Sequence, residues 1–488
     1  MKMDEVDEGV VGIITNHNYL DGPTFRGMRQ SLLSTFNAIF ILDLHGSIQR
    51  IENVPTGIVD KNVFDIRPGV AIVLLIKNRK MPDFVKRVDL WGERYDKYQR
   101  LAQSSLGDWK WSGIYPVSPN YFFKEGLKEP DLDEGYHLDR MFSVGTTALQ
   151  TSRDEFATAY TEAEIAARLR NLKSSKSNEE FRSLLKQKKN SELPAGDSDF
   201  WNLKDARDQL KASNSTEIIP MMYRPFDVRY LIYDEAVVHR MKREVSDEMR
   251  HDNLSLLVPR QLSSVEYRHA FVTKYVSEMC VVSSATKEQN RVFPLWLYDG
   301  SKPRHDNLAS KFREFLDSEY EHHYTPEEVL GYLYAVLYAP TYRTRYAEFL
   351  RIDFPRIPFP ESADDFESLS ELGWELVEAH LLRHVPRKGL AKYPNKGDHT
   401  VEAVRYSPKE QSISISDTQS FKPVPQAVWD FHIGGYRVLD KYLKSRKGRK
   451  LSLDEINHVS AIADSVAFTI DQMAKIDKAY QNAFGQRG

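Results

Sequence analysis

Three short, nearly unbroken apolar runs constrain the first ninety residues most: 9–16 (GVVGIITN), 38–44 (AIFILDL) and 70–76 (VAIVLLI). Each is rich in β-branched residues and bounded by polar or Gly/Pro-containing loops, the pattern of strands covered on both faces. Between the first two, Phe25, Met28, Leu32, Leu33 and Phe36 recur at helical spacing. Pro23 and Thr24 supply entry chemistry there, and Arg26 and Arg29 fall on the opposite face. Strand, helix, strand predicts a right-handed crossover in a parallel sheet, so the chain opens inside a doubly wound α/β layer. Such a layer usually has about five strands or more, and a nucleotide-binding one carries a glycine-rich turn after its first strand. Only eight residues precede Gly9, and neither GxGxxG, GxxxxGK[ST] nor Asn/Asp-Pro-Pro-Tyr occurs. Ser118-Pro119-Asn120-Tyr121 lacks the second proline and reads as a loop. The sheet therefore reads as the second half of a domain whose first half lies elsewhere.

Residues 89–140 are aromatic-rich without a clear period and end in the acidic stretch 129–134, which predicts a connector. From 141 to 296 the pattern is α+β, with strands expected at 228–233, 254–259 and 280–283 and a charged helical stretch at 161–189. Residues 324–338 announce a helix: Thr325 as N-cap, Pro326 in the first turn, Glu327 and Glu328 against the dipole, and a Tyr/Leu stripe turned inward. Pro340 stops it, and 342–351 resumes helically. The tail has strand-like pieces at 401–406 and 412–416 and an amphipathic helix at 453–474.

Several function classes are excluded. Lys plus Arg is 67 against Asp plus Glu 70, a net charge of −3, so any phosphate-binding surface must be local. The single cysteine, Cys280, leaves no intramolecular disulfide and no multi-thiolate metal site, and fits a reducing compartment. No apolar run approaches the ~20 residues of a membrane helix, and the acidic N-terminus MKMDEVDEG is unlike a signal peptide. A cytoplasmic protein with no membrane partner is expected. The histidines show no paired ligand spacing that marks a metal site, and the adjacent His322 and His323 point apart.

Longer words of the sequence are recognisable. GIITNHNYLDGPTFRGMRQSLLSTFNAIFILDLHG (12–46) and NVFDIRPGVA (62–71) are similar to the later half of the adenine-specific DNA methyltransferase domain of single-polypeptide restriction–modification enzymes, the Type ISP group. GTTALQTSRDEF (145–156), YRPFDVRYLIY (223–233), KEQNRVFPLWLY (287–298), YTPEEVLGYLYAVLYAPTYRTRYAEFLRIDFPRIPFP (324–360) and VWDFHIGGYRVLDKYLKSRKGRKLS (428–452) resemble that group's C-terminal specificity region. The resemblance covers nearly the whole chain. It implies an α/β remnant of a doubly wound methyltransferase sheet at 1–88 and a connector at 89–140. An α+β target-recognition region at 141–305 and a helical, mixed specificity region at 306–488 would follow.

The resemblance also implies an upstream nuclease, helicase motors, the methyltransferase cofactor loop and a catalytic tetrapeptide that holds a flipped adenine. None is in this sequence. S-adenosylmethionine is thus implied for the full enzyme and no cofactor for this chain. The expected function is sequence-specific recognition of double-stranded DNA by a catalytically incomplete module. The alternative is the distal half of a split DNA methyltransferase, assembling with an upstream-encoded methyltransferase/helicase half. An independent small-molecule enzyme would need a complete catalytic constellation, and no set of residues supplies one.

Reading DNA takes Arg, Lys, Asn or Gln on base edges and cations on phosphates. Gln150 and Arg153 offer such groups in a turn-like stretch; the plainer reading is a helix N-cap at Ser152 or Asp154 with Arg153 solvated. Arg224 and Arg229 interleave with Tyr223 and Phe226, for phosphate contact or, equally, for a structural Arg–Asp pair with Asp227. Arg243 belongs to a basic cluster with His239, Arg240 and Lys242. Arg260 and Gln261 follow one strand, and Lys287 follows another, where binding loops sit on scaffolds. Lys441, Lys444, Arg446, Lys447, Arg449 and Lys450 are the densest basic run, suited to phosphates or simply a solvated face. In the methyltransferase remnant, Asn16 and Tyr19 at a strand end and Phe64 are candidates to face a flipped base, Phe64 being equally readable as core.

Overall fold

A computed structural model describes residues 6–485 except 23–24, 48–53, 79, 119–120, 125–135, 186–192, 199–200, 265, 299–303 and 394–395. The Pro23/Thr24 helix entry, Pro119 and Asn120, and the acidic stretch 129–134 lie outside the described residues. The chain forms two compact units. One comprises Met1–Glu134 with Gln261–Val265 and Glu348–Asp353, and the other the remainder.

The first unit is built on a five-stranded sheet: β1 (Glu8–Asn16), β2 (Ala38–His45), β3 (Val70–Asn78), β4 (Phe84–Asp89) and β5 (Ser112–Ile114), in the order β1-β3-β2-β4-β5. The three runs are strands as expected, but the all-parallel sheet is corrected to a mixed one. β3 lies antiparallel between β1 and β2 (Ile13↔Val73, Ile41↔Val73), and β4 runs parallel to β2 with Asp43 opposite Asp89. The reason is the loop after β2. Its described residues form no crossover helix, and a chain that returns without one enters antiparallel.

Helix α1 (Arg26–Thr35) also departs from its expected face. Met28 is exposed, whereas Arg29 is fully buried because its Nη1 donates to the carbonyls of Tyr19 and Gly22, both at 2.8 Å. The expected connector supplies α2 (Arg94–Gln103) and β5 to this unit. Lys97 of α2 is buried, its Nζ 2.6 Å from Asp60 Oδ1 and donating to the carbonyls of Leu44 (2.7 Å) and Lys61 (2.8 Å), which pins the loop after β2 to the sheet.

In the second unit one apolar cluster runs from Ala148 to Ala467, so the two regions expected on either side of residue 305 share a core. Helix α3 (Glu162–Lys173) is capped by a reciprocal Thr161/Glu164 box; the expected stretch to 189 breaks at Ser174 and resumes for one turn at Glu179–Arg182, and its end, 186–189, lies outside the described residues. α4 (Leu203–Ala212) precedes the hairpin β6 (Glu217–Arg224) and β7 (Asp227–Tyr233). β8 (Ser255–Pro259) pairs with β9 (Phe271–Thr273) and β10 (Asn290–Pro294). The expected strand at 280–283 is a set of turns.

Helix α5 (Pro326–Tyr338) has the predicted Thr325 cap, boxed with Glu328, yet every residue from Val329 to Tyr338 is buried, so it is a central helix with no wet face. It packs on α6 (Ala363–His380). α7 (Val438–Lys444) and α8 (Leu453–Phe484) follow, α8 running ten residues past its predicted end.

A hydrogen-bonded chain crosses this helical core. Tyr334 Oη lies 2.6 Å from His380 Nδ1, His380 Nε2 lies 2.9 Å from Thr469 Oγ1, and the Thr469 hydroxyl donates to the Ser465 carbonyl at 2.8 Å. Because the threonine proton is already used, His380 donates from Nε2 and accepts at Nδ1, which fixes the neutral ring. Burial, and secondarily Arg343, push its pKa down to about 3. The unfolded chain therefore takes up the proton first, and the stability that neutral His380 supports is lost as pH falls from about 6.5 toward 3. Between pH 8 and pH 5 this group alone should cost about 2 kcal/mol. Denaturant unfolding at the two pH values should show it, and His380→Gln should flatten that part of the profile.

Candidate nucleic-acid interface

The hairpin β6–β7 and the segment after α7 come together around two tyrosines. Arg224 and Arg229 both lie over the Tyr223 ring, with Cζ 3.9 and 3.7 Å from its centroid, and Tyr223 Oη donates to Asp154 Oδ2 at 2.7 Å. Arg229 is also 4.4 Å from the Tyr160 ring, over which Arg449 (4.1 Å) and Arg446 (5.0 Å) sit. The Tyr160 hydroxyl donates to the Ser445 carbonyl. Tyr160 is thus the hub that joins residues distant in sequence, a role no local pattern announces.

Carboxylates hold this stack. Asp227, 1% exposed, accepts from Arg446 Nη2 at 2.9 Å and from Arg229 Nη2 at 3.2 Å; Arg446 Nε reaches Glu455 Oε1 at 2.8 Å. Arg224 Nη1 donates to Glu278 Oε2 at 2.7 Å. Two expectations are corrected here. Arg446, 3% exposed, braces the ridge from within instead of facing phosphates. Arg229 is buried in the pair with Asp227, the plainer of its two readings, whereas Arg224 is buried against Glu278, a partner that reading did not include. A buried guanidinium persists only when paired, and Arg446 and Arg224 find carboxylates, Asp227 and Glu278, that lie 219 and 54 residues off in sequence.

The outer surface of the same feature is cationic. Lys444, Lys447 and Lys450 are exposed and Arg449 is half-buried, bonded to Glu164 at 3.1 Å. Burial, and secondarily Arg224 and Arg229 close by, pull the Lys441 ammonium below its ordinary pKa.

Beside the ridge opens a cleft of about 600 Å³, lined by Gln150, Ser152, Arg153, Arg224, His239 and Glu278 among others. Gln150 pairs its backbone with Arg240, N–H to carbonyl in both directions at 3.0 Å. Ser152 stands in the left-handed region (φ 57°), so neither it nor Asp154 caps a helix. Arg153 is not solvated: its guanidinium lies 3.8 Å over Trp201, and its Nε and Nη1 are buried with no partner among the described residues.

The remaining candidates are not brought to the cleft. Arg243 bonds Glu235 at 3.0 Å, Lys287 is exposed on a short turn, and Arg260 is exposed just after β8. In the first unit, Gln261 donates to the Ile352 carbonyl at 3.1 Å. Asn16 is exposed and accepts the Asn18 N–H at 3.2 Å. Tyr19 is 3% exposed within the sheet's core cluster, which removes it from the stacking candidates. Phe64 is 41% exposed, on a loop tied by Asn62, and so is not a core residue.

The chain belongs to the Type ISP C-terminal specificity domain family, which matches residues 140–474. No protein of curated function matches it. Among solved structures it is similar to an ATP-dependent Type ISP restriction-modification enzyme, LlaBIII, bound to DNA (TM-score 0.68, 18% identity, covering 98% of this chain and 34% of that one). It is also similar to the DrdV–DNA complex (0.65, 19%, covering 98% and 51%). A third is a nuclease-deletion mutant of the Type ISP restriction-modification enzyme LlaGI with a DNA substrate mimic (0.64, 20%, covering 97% and 39%). The chain thus spans about half or less of the length of these enzymes, and at such identities the likeness is one of fold. Among the described residues no helix is long and apolar enough to cross a membrane.

Proposed function

We propose that this chain reads duplex DNA for a Type ISP-like restriction–modification system, with Lys444, Lys447, Arg449 and Lys450 on phosphates and Gln150 and Arg153 at the cleft reading base edges. The observation that carries it is the cationic ridge, braced from within and bordering a polar cleft, on a chain whose net charge is −3. Affinity should fall steeply with salt, and Lys444→Ala/Lys447→Ala/Lys450→Ala should flatten the log–log slope by about 0.9 per lost contact. Gln150→Ala should leave that slope unchanged while relaxing sequence preference by about 1–3 kcal/mol at one base pair. Salt-independent binding, or no binding, rules the reading out.

A second reading concerns the first unit, as the later half of a methyltransferase sheet. Among the described residues β1 is an edge strand, paired only with β3, and exposes Val10, Ile13 and Ile14 on both faces. Such an edge is a liability unless covered; we assign its cover to the remaining strands and helices of the domain, supplied by a longer chain or a separate half. The turns after β1, β2 and β4 carry Asn16-His17, His45-Gly46 and Leu90-Trp91-Gly92, not a glycine-rich loop. The lack of such a loop among these residues supports placing the S-adenosylmethionine pocket, and with it methyl transfer, in the other part. Mixing this chain with a polypeptide bearing the tetrapeptide should give adenine methylation that neither gives alone; an inactive mixture leaves only the first reading.

A further inference from the structure

The strand ends of the first unit collect a cluster that neither reading uses. His17 follows β1, Asp43 and His45 end β2, and Asp89 ends β4. Asp43 and His45 sit two apart at the end of one strand, on either side of an irregularity in its register with β3, and the parallel register sets Asp89 beside Asp43. One ligand atom from each of His17, Asp43 and His45 lies within 4.8 Å of the others, and all three residues are buried. His17 Nδ1 is 3.0 Å and His45 Nδ1 3.8 Å from the same oxygen, Asp43 Oδ1. Arg87 holds the other oxygen, Oδ2, at 2.7 Å.

We propose that His17, Asp43 and His45 bind a first-row divalent cation, zinc by preference, at the carboxyl edge of this sheet. Two imidazoles and one carboxylate are a zinc-type donor set. The surroundings are those of a metal site. His45 Nε2 lies 2.8 Å from Asp89 Oδ1, the outer carboxylate that orients a ligating imidazole. Its ring is stacked on Trp91 at 3.4 Å and 11°. The His17 ring fits only because residue 69 is glycine; a Cβ there would come within 2.3 Å of His17 Cε1. The Tyr19 hydroxyl, near Asp43, is buried with no partner among the described residues, a polar group that an ion-bound water would satisfy. Carboxyl edges of α/β sheets are also where ligands bind.

The test is equilibrium binding of zinc to the full, tag-free chain, with cobalt as a spectroscopic stand-in. A single saturable equivalent, a cobalt spectrum of nitrogen/oxygen coordination and quenching that disappears in Trp91→Phe are expected. Asp89→Asn should weaken binding roughly 10–100-fold. His45→Gln, which leaves the Arg87–Asp43 pair in place, and Asp43→Asn should abolish it, with circular dichroism confirming each fold. If Asp43→Asn does not fold, His45→Gln decides. No saturable uptake by the wild-type chain, or the same uptake by His45→Gln, overturns the site and leaves a hydrogen-bonded carboxylate.

Discussion

Arg446→Ala is expected to destabilise the second unit by about 3–5 kcal/mol, although Arg446 lies in a run of cations that resembles an ordinary wet surface. Alanine on a solvated lysine, such as Lys444, costs within about 0.5 kcal/mol. Burial reverses the ranking. Removing Arg446 takes the 2.9 Å partner from Asp227 and the 2.8 Å partner from Glu455, and opens the space over Tyr442, whose ring centroid is 3.6 Å from the guanidinium carbon. Asp227 keeps Arg229 at 3.2 Å and Glu455 is partly exposed, which favours the lower end of the range. Arg446→Lys should recover only a minor part, because one ammonium cannot reproduce a planar fork between two carboxylates. Denaturant unfolding of Arg446→Ala, Arg446→Lys and Lys444→Ala decides it; equal stabilities for the two alanine variants would refute the bracing role.

Gly373→Ala should be comparably damaging, about 3 kcal/mol or more. In an exposed helix the same change is worth up to about 1 kcal/mol in the opposite sense. Here α6 crosses α5 backbone to backbone: a Cβ on Gly373 would lie 1.9 Å from the Gly331 carbonyl oxygen and 2.8 Å from the Ala335 nitrogen. No rotamer relieves a clash with backbone, so the helices must separate along a fully buried seam, and overpacking dominates propensity. Gly27 of α1, with nothing within 4 Å of its Cβ position, is the internal control and should gain stability as alanine. Thermal unfolding of the two variants should move in opposite directions; a stable Gly373→Ala protein would mean the crossing is looser than described.

Much of the local structure was legible. Apolar runs and caps act between neighbours, so three of the five strands of the first unit, the Thr325 cap and the α8 start could be read directly. The direction of β3 could not, because strand polarity depends on whether the intervening loop crosses the sheet, and residues 46–69 carry no periodic signal either way. The strand expected at 280–283 failed for a related reason: burial of Val281 and Val282 is shared by strands and packed turns.

The sequence by itself determined which segments are helix or strand, that any DNA-binding surface had to be local, and, through long shared words, the family. Only the tertiary structure decided which of six clustered cations face solvent and which one is a strut, and that His17 converges on Asp43 and His45, which lie more than twenty residues further along the chain. The physical reason is distance along the chain: a charge's role is set by the partner that desolvates or neutralises it. For Arg446 that partner, Asp227, lies 219 residues away.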